Sequence, residues 1–91
     1  MEIINIIGAF LAQRVNLSPP AGRGLLKLAI KDELGPFKPY DILEYEDLKN
    51  VISKSLKQRL ENLEIYGADS IIKELVNILN KNQSLLTMSK V

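Results

Sequence analysis

The sequence predicts an all-α fold, a compact bundle of four helices. Three observations point there. Apolar residues recur at helical spacing in four separate stretches, cap signals stand at the junctions between them, and no stretch gives a convincing strand. At 91 residues, 46% hydrophobic and 25% charged, the chain suits one folded domain, 1–91, with a single modest core. No repeat, low-complexity tract or interdomain linker divides it.

The first helix is expected from Ile3 to about Asn16. Ile3, Ile4, Ile7, Phe10, Leu11 and Val15 share a broad face, opposed by weakly polar residues such as Asn5, Gln13 and Asn16. A helix so apolar either sits centrally in a bundle or contacts something outside the chain, so Ile3, Ile4, Ile7, Phe10 and Leu11 form a candidate interaction face. Gly8 weakens the helix by about 1 kcal/mol relative to Ala but permits a close helix crossing. The segment is not expected to be a signal peptide, because Glu2 stands where a basic region belongs, nor a membrane span, because its uncharged run from Ile3 to Ala12 is shorter than the roughly 20 residues that span a bilayer. A soluble cytoplasmic protein is expected.

The second helix runs from Pro19 to Leu34. Ser18 is its N-cap, Pro19 occupies the first position, where a missing N–H costs nothing, and Gly35-Pro36 ends it. Leu25, Leu26, Leu28, Ala29 and Ile30 supply the inward side. Arg23, Lys27 and Lys31 form an i, i+4 row that reads either as an anion contact stripe or, more ordinarily, as a solvated face. The AGRG stretch has neither the strand nor the spacing of a nucleotide-binding loop.

The connection GPFKPYDILEYED carries two prolines, and its Phe37, Tyr40, Ile42 and Leu43 are apolar enough to pack across a bundle end. Asp41, Glu44, Glu46 and Asp47 put four carboxylates within seven residues, a possible site for a hard cation such as Ca²⁺. Their spacing is not that of an EF-hand, and charge at a helix N-terminus accounts for Glu46 and Asp47 without a metal.

The third helix, Tyr45 to Leu63, has the longest clean period. Tyr45, Leu48, Ile52, Leu56, Leu60 and Leu63 cover an arc of roughly 120°, with acidic residues early and basic residues late as the helix dipole favours. Arg59 falls on the apolar side of this wheel. Asp32 falls beside Ala21 and Leu28 on the second helix, so Arg59 and Asp32 are expected to meet as a buried ion pair that fixes the register of the two helices, at a cost of about 3–5 kcal/mol if one partner is removed; the alternative is that Arg59 reaches outward to solvent over an apolar stem. The fourth helix is expected from about Asp69 to Lys81, capped by Asp69 or Ser70, with Ile71, Ile72, Leu75, Val76, Ile78 and Leu79 inward. In the tail NQSLLTMSKV, Leu85, Leu86 and Met88 are expected to fold back, and the last three or four residues to fray.

The composition narrows the function. With no Cys and no His, zinc fingers, thiolate chemistry, Ser-His-Asp triads and imidazole catalysis are excluded. A net charge of +1 argues against a general electrostatic grip on nucleic acid. No residue pair is placed by spacing as catalytic acid and base, and no cofactor motif is present, so an enzyme is not expected.

Taken together, PPAGRGLLKLAIKDELG, EDLKNVISKSLKQRLENL and NQSLLTMS resemble an uncharacterised family of short archaeal proteins over nearly the whole chain. The resemblance implies a four-helix domain arranged like saposins, whose relatives bind lipids; the disulfides typical of saposins are absent here. The functional expectation is a small interaction or adaptor module, binding an unknown protein or a second copy of itself. The alternative is a lipid-surface protein.

Overall fold

A computed structural model describes residues 2–88, with the side chains of residues 87 and 88 excepted. Among these residues every regular element is helical: α1 (Glu2–Val15), α2 (Pro19–Leu34), a 3₁₀ turn (Tyr40–Ile42), α3 (residues 45–62), α4 (Ala68–Lys81) and α5 (Gln83–Met88). No helix is long and apolar enough to cross a membrane. Five helices therefore stand where four were expected. The fifth is the tail, in which Leu86 is buried in the core and Leu85 packs against it. The fraying expected at the very end concerns residues that, from 89 on, lie outside the described range.

Caps set the boundaries of these helices. Ser18 accepts a hydrogen bond from the Ala21 N–H at 3.3 Å, and Gly35 closes α2 at a positive φ of 89° with its N–H on the Lys31 carbonyl. At the start of α3, Glu44 and Asp47 form a capping box in which Asp47 Oδ2 accepts the Glu44 N–H at 3.0 Å. Its end is a Schellman motif, with the Ile65 N–H bonded to the Leu60 carbonyl and Glu64 held at φ 58°. The start of α4 differs from expectation: Gly67, at φ 75°, takes the cap position in place of Asp69 or Ser70. Asp69 lies in the first turn, where its charge suits the dipole, and pairs with Lys57 at 3.2 Å.

α1 crosses α2 at unusually short range. A Cβ added to Gly22 would lie 2.3 Å from the Gly8 carbonyl oxygen, and one added to Gly8 would lie 2.9 Å from Arg23 Cα, so the two backbones meet where neither residue has a side chain. Besides α2, α1 also packs against α4 and α5, and its Ile3, Ile4, Ile7 and Leu11 are at most 2% exposed. These join Leu26, Ile30, Leu48, Ile52, Leu56, Leu60 and Leu75 in one core.

α3 is not a uniform α-helix, for residues Val51–Leu56 form a π-helical turn between two α-helical parts. A π turn accommodates about one extra residue, which rotates everything after it by about 100° on the helical wheel. The buried arc moves accordingly. Val51, which an ideal wheel leaves outside the apolar stripe, is fully buried, while Arg59 turns off the stripe to its edge.

The connection between α2 and α3 packs only in part. Leu43 is fully buried and Tyr40 partly so, but Phe37 is 93% exposed and Ile42 is also exposed, contrary to the expectation that all four cover a bundle end.

Candidate functional site

Arg59 and Asp32 do meet. Arg59 Nε donates to Asp32 Oδ2 at 2.5 Å and Nη2 to Oδ1 at 3.0 Å, a two-pronged contact between α3 and α2. The pair is not buried, however: its side chains are 34% and 42% exposed. Two observations explain the correction. The π turn carries Arg59 off the apolar stripe, and Ala21 and Leu28, the residues that share the Asp32 face of α2, are themselves exposed. The paired hydrogen bonds hold the Asp32 carboxyl below its ordinary value against a smaller opposing effect of burial, and the same bonds raise Arg59. Next to this pair, Ser55 of the π turn donates to Glu33 Oε1 at 2.8 Å. The result is a polar seam that fixes α2 against α3. It presents paired charges to solvent and has no unsatisfied buried side-chain atom among the described residues.

The acidic stretch does not assemble into a cation site. Among the described residues no three acidic side chains come together in a way that could hold a metal ion, so Asp41, Glu44, Glu46 and Asp47 are not a cluster. Their positions explain why. Asp41 sits in the 3₁₀ turn, Glu44 and Asp47 cap α3, and Asp47 Oδ2 also takes Lys38 Nζ at 3.1 Å.

The candidate interaction face on α1 is likewise corrected. Ile3, Ile4, Ile7 and Leu11 are spent inside the chain's own core, and Phe10 is partly buried against it. Of that face only Phe10 retains partial exposure. The extra apolar surface of α1 is absorbed by α2, α4 and the unexpected α5.

The open apolar surface lies elsewhere, on the outer side of α2. A groove of about 540 Å³ runs along Ala21, Gly24, Leu28 and Lys31, positions spaced three or four apart on one stripe of α2, and is extended by Leu17 just before the helix. Leu63, from the end of α3, closes one side, while Lys27 and Tyr40 close the other. Leu17, Leu28 and Leu63 are 44%, 45% and 57% exposed, and a Cβ added to Gly24 would meet nothing within 4 Å. Lys27 lies 5.7 Å from the Tyr40 ring centroid, a cation–π distance that steadies that rim.

Sequence reasoning counted Leu28 and Leu63 as core and so missed this groove, although a signal was present. Leu25, Leu26, Leu28, Ala29 and Ile30 span about 200° of the α2 wheel, far more than the roughly 100° stripe a surface helix needs to bury, so one edge had to face outward. Leu28 is that edge. The row Arg23, Lys27, Lys31 divides as well: Arg23 is half-buried against Gly8, whereas Lys27 and Lys31 border the groove.

The arrangement offers an apolar trough with a cationic margin and, beside it, a neutralised polar seam. No protein-family model matches this chain, and no curated protein or solved structure matches it either.

Proposed function

We propose that this chain is a small, non-enzymatic cytoplasmic interaction module whose contact face is the groove along α2. One observation carries the reading: three leucines, each about half exposed, surround a glycine of α2, whereas no large apolar residue of α1 or α4 is exposed to that degree. Exposed apolar residues gathered in a concave patch are what a protein-binding surface requires. Two features speak against catalysis. The polar seam spends its charges on one another, and the groove contains no acid–base pair.

The test compares the wild-type chain with Leu28→Glu as baits in native extract, with bound proteins identified. Leu28 is half exposed, so the variant should fold and melt within a few degrees of wild type. Proteins retained by wild type and lost by Leu28→Glu support the contact face. An identical catch from both refutes it.

A second reading, a lipid-surface protein of saposin-like arrangement, draws support from Phe37 and Tyr66, which are 93% and 100% exposed. Phe37 lies in the connection before α3 and Tyr66 in the turn after it. Flotation with anionic liposomes that is lost in Phe37→Ala plus Tyr66→Ala would favour this reading.

A further inference from the structure

We propose that the α2 groove seats an amphipathic helix with acidic flanks, supplied by a protein partner. The proposal rests on the reading of the groove as the contact face and adds what fills it.

The argument for a helix begins with the floor. Ala21, Gly24, Leu28 and Lys31 form a helical row about 15 Å long, nearly three turns of a partner helix, and Leu17, just before α2, extends the floor beyond it. Ala21 and Gly24 make its middle shallow, so a second helix can approach with its backbone close and lay its side chains between Leu17 and Leu28. A strand would find no open backbone edge to pair with, since the α2 backbone is hydrogen-bonded within the helix. Glycine at position 24 also costs α2 about 1 kcal/mol relative to alanine, and no neighbour in the chain requires it. An approaching helix does.

The argument for acidic flanks comes from where the charges of α2 go. Asp32 is taken by Arg59 and Glu33 by Ser55, both on the α3 side of the helix. Lys27 and Lys31 line the margin of the groove away from α3, and neither has an acidic partner among the described residues. The margin is therefore positively charged without compensation. A helix bearing Glu or Asp beside its apolar stripe satisfies it, and one bearing Lys or Arg is repelled. A second copy of this chain fits less well, because nine residues line the groove, whereas a standard stable interface uses about 20–30 per side.

The experiment uses two synthetic peptides of about four turns. Both carry one leucine stripe with an alanine at its centre; one has glutamate flanks, the other lysine flanks. Binding to the full chain is followed by amide chemical shifts in NMR at low salt. The glutamate peptide should give saturable shifts centred on Ala21, Gly24 and Leu28, and Gly24→Leu should abolish them by filling the floor. Lys27→Glu plus Lys31→Glu should weaken the glutamate peptide at least tenfold and let the lysine peptide bind in its place. This exchange also guards against simple misfolding, because a collapsed variant would bind neither peptide at these amides. Equal binding of both peptides at the groove overturns the acidic preference while leaving the contact face intact. Shifts elsewhere, no shifts at all, or perturbation of these amides only by phosphatidylglycerol vesicles overturn the seated helix and the protein-binding face together.

Discussion

Gly22→Ala tests the close crossing of α1 and α2. The added methyl would stand 2.3 Å from the Gly8 carbonyl oxygen, 2.6 Å from Ala12 Cβ and 3.0 Å from Ala12 Cα. Comfortable separations are about 3.5–4.0 Å, so the helices must part by about 1 Å. Two effects oppose each other. Alanine improves helix propensity by about 0.8–1.0 kcal/mol, and overpacking costs about 1–3 kcal/mol. Here the obstructing atoms are backbone and a Cβ, which no rotamer change can move, so the upper end of the second range applies and the net loss is about 1–2 kcal/mol. For a domain of this size that lowers Tm by roughly 5–15 °C. Gly24→Ala is the matched control: it gains the same propensity and meets nothing, so its Tm should rise by about 4–8 °C. Thermal and urea unfolding followed by circular dichroism reads both variants. A Gly22→Ala chain as stable as wild type would falsify the crossing and the placement of α1 that depends on it.

Four further outcomes follow from the described geometry. Arg59→Met should lower stability by no more than about 1 kcal/mol, because the pair with Asp32 is more than a third exposed and screened by water; a double-mutant cycle with Asp32→Asn that gives 3 kcal/mol or more of coupling would mean that the pair is buried after all. The carboxyl of Asp32 is held below its unfolded value, so its contribution is complete above about pH 4 and fades as pH falls through the lowered value; the stability difference between wild type and Asp32→Asn should shrink on acidification, and a difference that grows would contradict the assignment. Glu64→Gly should stabilise the chain by up to about 1 kcal/mol, since Glu64 occupies a left-handed conformation that glycine adopts without strain, and an unchanged or lower melting point would show that the Schellman end of α3 is misassigned. Millimolar Ca²⁺ should leave Tm where EDTA leaves it, the acidic residues around Asp47 being engaged in capping, whereas a Ca²⁺-specific rise would revive the cation site.

The helices were legible because their signals are local. Ser18, Pro19 and Gly35 fix both ends of α2, and the period from Tyr45 onward fixes the body of α3, with information held within a few residues of each boundary. Three things were not legible, each for a physical reason. The π turn depends on how α3 meets its neighbours, which no single wheel encodes, and it alone moved Arg59 from core to edge and brought Val51 in. α5 is too short to display a period, so its burial of Leu86 emerges only from the fold. The groove was hidden because Leu28 and Leu63 look like core residues, and the surplus of apolar positions on α2 becomes visible only when its arc is measured against what one helix can bury. Of the candidate residues, the Arg59–Asp32 contact was readable and its exposure was not. The face on α1 and the acidic stretch were readable as chemistry and not as placement.

Gly22 and Gly24 lie about 200° apart around α2, one locked into the crossing with α1 and the other open to solvent. The docking floor is thus the back of a clamped beam. It can neither swell nor retract as a visitor arrives, and the ordering left to do is confined to the tips of a few leucines and two lysines. Encounter should then be rapid and steered by charge, with the lifetime of the complex set by how quickly the visitor peels away. In a cell, occupancy would track the abundance of the partner from moment to moment, without a slow change of shape to give the chain a memory of its last encounter.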